Sequence, residues 1–301
     1  MALRLVFSRT FRPLGGAYAP RRLRRRPIRV LRGGEGGVAV RFRVSGSDVG
    51  IEVWTAGEST ADDVTWAVDR ARGIAGVDDD PGPFLASVRS HPVLSELSRG
   101  ADPRMFRTPT VFEAYASAVI EQLVTGMEAR AAIARLGQTA GALLPGTRHR
   151  AAPTATEVRA VPMWRLREIG IGARRAAALR EGALRGPALE RLVDIAPADA
   201  IAKLQCLRGV GPWTANAVAR DALAYADAVP IGDLHVPGLV TEALTGERGG
   251  DDEMLALLEP FRPHRARVVL LIERAAFGVG LAPRRWRPPR IDPHRRTPWL
   301  Y

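Results

Sequence analysis

Residues 37–54 alternate apolar and polar side chains, and Gly46-Ser47-Asp48 interrupts the alternation halfway. A period of two puts every second side chain on one face of a pleated strand, so the segment predicts a β-hairpin or two strands of a small sheet. Leu3–Phe7 and Ile28–Leu31 are shorter candidates for further strands. From Thr60 the period becomes helical: Thr60-Ala-Asp-Asp opens a segment whose apolar positions include Val64, Ala67, Val68 and Ala71. Helical patterning continues to about residue 280, in segments at 83–89, 111–123, 128–143, 155–159, 163–169, 173–181, 187–194, 197–206, 213–223, 235–244, 251–258 and 263–278. Short turns bearing proline or glycine part them. Residues 283–301 are crowded with proline and arginine and are expected to be extended. The chain thus divides into a small N-terminal sheet region (1–60), a helical body (61–282) and a basic tail (283–301). A sheet this small must pack on the helices to be stable.

Charge sharpens the picture. A formal charge of +12 is unusual for an enzyme of small metabolites and points to a polyanionic partner, because neutralised phosphates release condensed counterions. A basic tail without consequence is the plain alternative. The single cysteine, Cys206, excludes disulfide frameworks, cysteine zinc sites and iron–sulfur clusters. The single lysine, Lys203, leaves one candidate for any Schiff-base chemistry. Five histidines show no ligand spacing, so no catalytic metal is expected. No apolar run approaches the roughly 18–20 residues that span a bilayer, which predicts a soluble protein. The first 32 residues are arginine-rich and acid-free, but Gly15-Gly16, Pro20 and Pro27 interrupt any amphipathic helix. They read better as a basic edge facing DNA than as a mitochondrial targeting segment.

The stretch Leu204–Arg220 reads LQCLRGVGPWTANAVAR. A helix ends at Leu207, the chain turns through Gly209-Val210-Gly211, and Pro212 suits the first position of a second helix. Glycines let the backbone approach a ligand closely, and the helix start offers unpaired N–H groups to an anion such as a phosphate. An ordinary tight turn between packed helices would use the same residues. Beyond the second helix comes Asp227-Ala-Val-Pro-Ile-Gly-Asp233-Leu-His, with Asp233 twenty residues after Trp213.

The pairing of LxGVGxWTAxxVA with DAVPxGD resembles the helix-hairpin-helix DNA glycosylases, and their 3-methyladenine-DNA glycosylase II branch in particular. The resemblance runs from about Phe106 to Glu273, and the N-terminal sheet matches that branch's extra domain more loosely. It implies a mostly α fold, two helical lobes with a small N-terminal antiparallel β-sheet. It also implies a base-excision enzyme that flips a damaged, alkylated purine from duplex DNA and hydrolyses its glycosidic bond. The chemistry asks for a carboxylate: bond breaking develops positive charge on the sugar, which a fixed anion stabilises, and the same group can orient the attacking water. The resemblance gives that role to Asp233. An N-cap for 234–244 is the usual use of an aspartate there, and the two roles are compatible. Family members that also cut the backbone carry a lysine two residues after the second hairpin glycine. That position is Trp213 here, and Lys203 lies on the preceding helix. A hydrolase without lyase activity is implied.

The motif assigns further roles. Gln122 and Leu123, within VFEAYASAVIEQLVTGMEAR at 111–130, fall where the family inserts side chains into the DNA stack. Alternatively Leu123 faces the core with Val119 and Met127. Trp213, Ala217 and Glu273 fall in the base pocket; an indole stacks well on a cationic base, and anchoring the hairpin is its other use. Ala217 stands where the branch has another aromatic residue, and Leu271-Ile272-Glu273 replace one on the late helix, so the pocket is expected to be wider and less aromatic. Gly209, Gly211 and Thr214 match the groups that grip the DNA backbone. Carbonyls of Gln205, Leu207 and Val210 match positions that hold a Na+ or K+ ion; no other cofactor is implied. His235 can contact DNA or pack at a helix start, and His264 can meet a phosphate beside Arg262 and Arg265 or cap a helix. Arginines at 21–26 and 284–290, with Trp286 interleaved, are candidates for non-specific phosphate binding or a solvated face.

Two other functions stay open. One is a glycosylase for uracil, hypoxanthine or an oxidised base. The other is a non-catalytic hairpin that only grips DNA, which would have no need of Asp233. In all of them the expected partner is duplex DNA, the expected state a cytoplasmic monomer.

Overall fold

The computed structural model describes residues 4–14, 23, 28–33, 36–55, 59–99 and 102–276. The arginines of 21–26, those of 284–290, Trp286 and the tail at 283–301 lie outside the described residues.

Four strands, β1 (Arg4–Phe11), β2 (Ile28–Gly33), β3 (Gly36–Ser45) and β4 (Asp48–Thr55), form one antiparallel sheet in the order β1-β4-β3-β2. β3 and β4 make the hairpin that the alternation predicts, turning at Gly46 (φ 55°) and Ser47. Their register pairs Val40 with Val53 and Phe42 with Ile51. These four side chains are buried on one face, whereas Arg41 and Arg43 clasp Glu52 on the other at 2.7 and 2.6 Å. Helix α1 (Ala61–Ala75) starts in a reciprocal cap between Thr60 and Asp63. Ala67, Ala71, Ile74 and Ala75 lay its apolar stripe on the sheet. The first helix therefore shares a core with the strands, and this core runs on to Val77.

Two short helices follow, α2 (Gly82–Ser87) and α3 (Leu94–Ser98). α3, five residues long, is too short to show a period and has no counterpart among the predicted segments. A first helical lobe comprises α4 (Val111–Glu121), α5 (Gly126–Ala140), α6 (Ala155–Ala160), α7 (Met163–Glu168), α8 (Ala173–Leu184), α9 (Gly186–Glu190), α10 (Pro197–Gln205) and α11 (Pro212–Leu223). It closes around Tyr115, Val119, Leu166, Ile171, Leu179 and Val218. The second lobe joins α2 and α3 to α12 (Val236–Thr245), α13 (Asp251–Leu258) and α14 (Arg265–Ala276), around Phe84, Leu94, Val240, Met254, Val268 and Ile272. Among the described residues no helix is long and apolar enough to cross a membrane.

Buried ion pairs lock these parts together. Asp79, just after α1, receives both guanidinium arms of Arg267 from α14, at 2.6 and 2.7 Å, and the Met105 N–H at 3.0 Å. Arg267 also donates to the Pro103 carbonyl at 2.8 Å. Asp227, beyond α11, takes Arg262 at 3.0 Å and Arg265 at 2.7 and 2.8 Å, which pins the connector to the start of α14. Arg29 of β2 reaches Glu113 of α4 at 2.5 Å. Removing one partner of a buried pair strands the other without a counter-charge, at a cost of about 3–5 kcal/mol. Arg267→Ala is accordingly expected to lower the unfolding free energy by about that amount, read from urea melts, with the helical circular dichroism of the folded protein retained.

Candidate active site

The site is organised by the first turn of α11. Pro212 begins the helix with an angle proline already has, and the chain enters through Gly211 in extended conformation. Gly209 sits at φ 84°, and a Cβ there would stand 2.8 Å from the Ala178 Cβ. Position 209 needs glycine for both reasons. Gly211 differs: its φ is −96°, and a methyl group there would meet no other atom within 4 Å.

Trp213 and Thr214, adjacent on this turn, each hold a distant segment. The Trp213 indole Nε1–H donates to Asp233 Oδ2 at 2.7 Å. The other carboxylate oxygen, Oδ1, accepts the N–H groups of His235 and Val236 at 2.8 and 2.9 Å, at the start of α12. The N-cap of α12 is His235, and Asp233, two residues ahead of it, braces the helix start and faces the hairpin at once. Trp213 packs against the first lobe's core and Val236 belongs to the second's, so the indole–carboxylate bond links the two lobes. The loop carrying Asp233 is held from behind as well: Gly232, at φ 83°, donates its N–H to both oxygens of Asp251.

On the other side of the turn, Gln122 Nε2 donates to the Gly209 carbonyl at 2.9 Å and to Thr214 Oγ1 at 2.8 Å. Leu123, the next residue, is held at φ 53° and is 80% exposed. A leucine in the left-handed region costs about 1–2 kcal/mol. Its side chain points to solvent, away from the core that Val119 enters.

Charged groups cluster further along α11. Arg220, two turns along α11 from Trp213, holds Asp221 at 2.8 and 3.2 Å. Glu273 on α14 and Glu121 at the end of α4 lie in the field of the same arginine. Burial pushes the Glu273 carboxyl above the usual glutamate range, and Arg220 draws it back. The charge of Asp233 pushes Glu273 further up.

Several expectations are revised. Thr214 is buried and its hydroxyl is engaged by Gln122, so its side chain braces the hairpin and only its backbone N–H is left for a phosphate. Gln122 is a brace too, and Leu123 alone of that pair projects outward. Ala217 is 4% exposed inside the first lobe's core and lines no open surface. His264 packs edge-on against Phe84 while Arg262 and Arg265 serve Asp227, so the three make no phosphate site. His235 is exposed two residues from Asp233. Of the carbonyls matched to a cation, that of Leu207 already accepts the Val210 N–H at 3.1 Å; its second lone pair is compatible with a monovalent ion. Arg220 and Glu121 lie in the quoted stretches but carry no role there. Their spacing offered a clue, since Arg220 falls seven residues after Trp213 on the same helix face and Glu121 adjoins Gln122.

Comparison with solved structures identifies the architecture. A 3-methyladenine DNA glycosylase from Archaeoglobus fulgidus superimposes with a TM-score of 0.71 at 21% identity, covering 83% of this chain and 87% of its own. The 8-oxoguanine glycosylase/lyase of Clostridium acetobutylicum gives 0.62 at 16%, covering 81% and 88%. The Schizosaccharomyces pombe 3-methyladenine DNA glycosylase Mag1, bound to abasic DNA, gives 0.54 at 18%, covering 65% and 97%. The fold is that of the helix-hairpin-helix DNA glycosylases. No protein-family model and no curated protein sequence matches the chain significantly.

Two outcomes test this geometry. Gly209→Ala should cost at least about 1 kcal/mol in stability, whereas Gly211→Ala should leave Tm unchanged and weaken DNA binding by putting a methyl before the helix N–H groups. The second outcome is pH-dependent. The folded protein holds the Glu273 proton more tightly than the unfolded chain does, so this group favours folding at low pH and loses that contribution as pH rises from the ordinary glutamate range towards neutrality. Glu273→Gln should match the parent below about pH 4 and exceed its Tm increasingly above it.

Proposed function

We propose that this protein is a monofunctional DNA glycosylase, which flips a damaged base from duplex DNA and hydrolyses its N-glycosidic bond with Asp233. The observation that carries the reading is the Trp213–Asp233 hydrogen bond between the lobes, at a helix start without a side-chain cap whose N–H groups would meet DNA. Two peptide N–H groups and an indole fix the carboxylate, so its charge needs no reorganisation as the sugar becomes cationic. Each oxygen has two lone-pair directions, and one on Oδ2 remains for a water or the sugar. Gly209 and Gly211 would bring hairpin backbone to a phosphate, and Leu123 would fill the gap left by the flipped base. Gln205, Leu207 and Val210 would hold a monovalent cation, whose charge would add to the hairpin's pull on that phosphate.

Water is the nucleophile in this reading. Lys203, the one lysine of the chain, is exposed on α10, and position 213 holds an indole. The base would be an alkylated purine stacked on Trp213. Glu273, within the field of Asp233 and Arg220, favours a second possibility, a base read through hydrogen bonds at its edge, such as an oxidised or deaminated one. A panel of duplexes, each with a single lesion, decides between them.

Abasic sites formed on that panel, revealed as strand breaks after hot alkali, measure the reaction. Asp233→Asn is expected to abolish them while keeping DNA affinity. Its amide oxygen can still brace the start of α12, leaving an NH2 against the Trp213 N–H at a cost of about 1–3 kcal/mol. Residual activity in that variant would overturn the mechanism, and strand breaks without alkali would overturn the monofunctional assignment.

A further inference from the structure

The three most exposed large apolar side chains among the described residues are Leu123 (80%), Leu234 (75%) and Met127 (70%). All belong to segments tied to the first turn of α11. Leu123 follows Gln122, which is bonded to Thr214, and Met127 lies four residues beyond; Leu234 follows Asp233, which is bonded to Trp213. Such a concentration marks an interaction surface more than scattered exposure would. Leu234 also stands on a rigid mount. The Asp233 N–H donates to the Pro230 carbonyl at 3.2 Å, Gly232 is held by Asp251, and the N–H groups of His235 and Val236 go to Asp233 itself. An exposed leucine whose flanking backbone is fixed on both sides loses little further freedom when something covers it.

We infer that Leu234 is a second apolar DNA-contacting residue, packing on the sugar and base edge of the damaged strand beside the lesion while Leu123 enters the stack from the other side of the hairpin. The inference rests on the glycosylase reading. For Asp233 to act on the lesion's sugar, that sugar must lie against its carboxylate, and consecutive Cα atoms are only about 3.80 Å apart. Leu234 then lies within side-chain reach of the same strand. The chain's charge of +12 and Arg208, exposed on the hairpin, suit a polyanion as the occupant. Leu234 adds to these an uncharged contact with the deoxyribose and base, which phosphate-binding arginines cannot supply.

The test uses the full chain with Leu234→Ser and Leu234→Met, titrated against a duplex holding a tetrahydrofuran abasic analogue and against the same duplex undamaged, over a salt series. Leu234→Ser should weaken binding to the analogue duplex roughly tenfold, as expected for losing most of one leucine's burial. Binding to the undamaged duplex should change little, and Leu234→Met should restore affinity. The slope of log K against log salt should stay constant, because no phosphate contact is lost, and Tm should not move. Equal affinity of Leu234→Ser and parent for the analogue duplex would overturn the inference alone. So would an equal loss on both duplexes with a shallower salt slope, which marks phosphate positioning. A parent protein without preference for the analogue duplex would instead overturn the glycosylase reading, and this inference with it.

Discussion

The site depends on one helical turn. Trp213 and Thr214 are neighbours in sequence, yet a helix turns successive side chains by about 100°, so they reach opposite sides of the hairpin. One holds Asp233 from the second lobe; the other holds Gln122 from the end of α4. Three segments separated by about ninety and twenty residues therefore meet through two adjacent donors and acceptors. Neither bond closes unless α11 begins immediately after Gly211, which ties the glycine geometry of the turn to the placement of the carboxylate.

That arrangement needs a rigid frame, because the Trp213–Asp233 bond crosses between two separately cored lobes. The frame comes from buried charge. Asp227 receives two arginines where the chain passes from lobe to lobe, and Asp79 binds Arg267 where the N-terminal unit meets the second lobe. Charged pairs of this kind are poor sources of net stability, since desolvation offsets most of the attraction. They are effective at excluding alternatives, because a lobe that shifts leaves a carboxylate buried and unmatched. The connector therefore favours one arrangement of the lobes over a hinge.

Local periodicity made much of this legible. Alternation at 37–54 announced the β3–β4 hairpin, and the glycines with Pro212 announced the turn and helix start. The sheet's use of α1 was not legible, because an amphipathic stripe does not say which surface covers it. The same ambiguity hid the fate of Thr214 and Ala217: both lie on the motif, and only packing shows that they face inward. Gln122 and Leu123 look equivalent as a dipeptide. The backbone reversal at Leu123 separates them, turning one side chain under the hairpin and the other out. Arg220 and Glu121 escaped for a different reason, since a charged residue on a helix usually marks a solvated face.

The electrostatics around Arg220 run opposite to those of the chain. The protein as a whole is strongly cationic, a field that draws DNA in. Yet Glu121, Asp221 and Glu273 crowd around a single Arg220, and Asp233 adds its charge to theirs. A cluster of that sign repels a phosphate and favours a cation. In the proposed glycosidic cleavage that cation would be the sugar, which forms only as the bond breaks, so the field would act on the transition state more than on the bound substrate. Burial that raises Glu273 works with this arrangement, because shifting that carboxyl towards its neutral form lessens the repulsion it and Asp233 exert on each other. The same residue thus limits the negative charge near Asp233, and in the proposed reaction it would offer a polar contact where an aromatic ring would offer only a face.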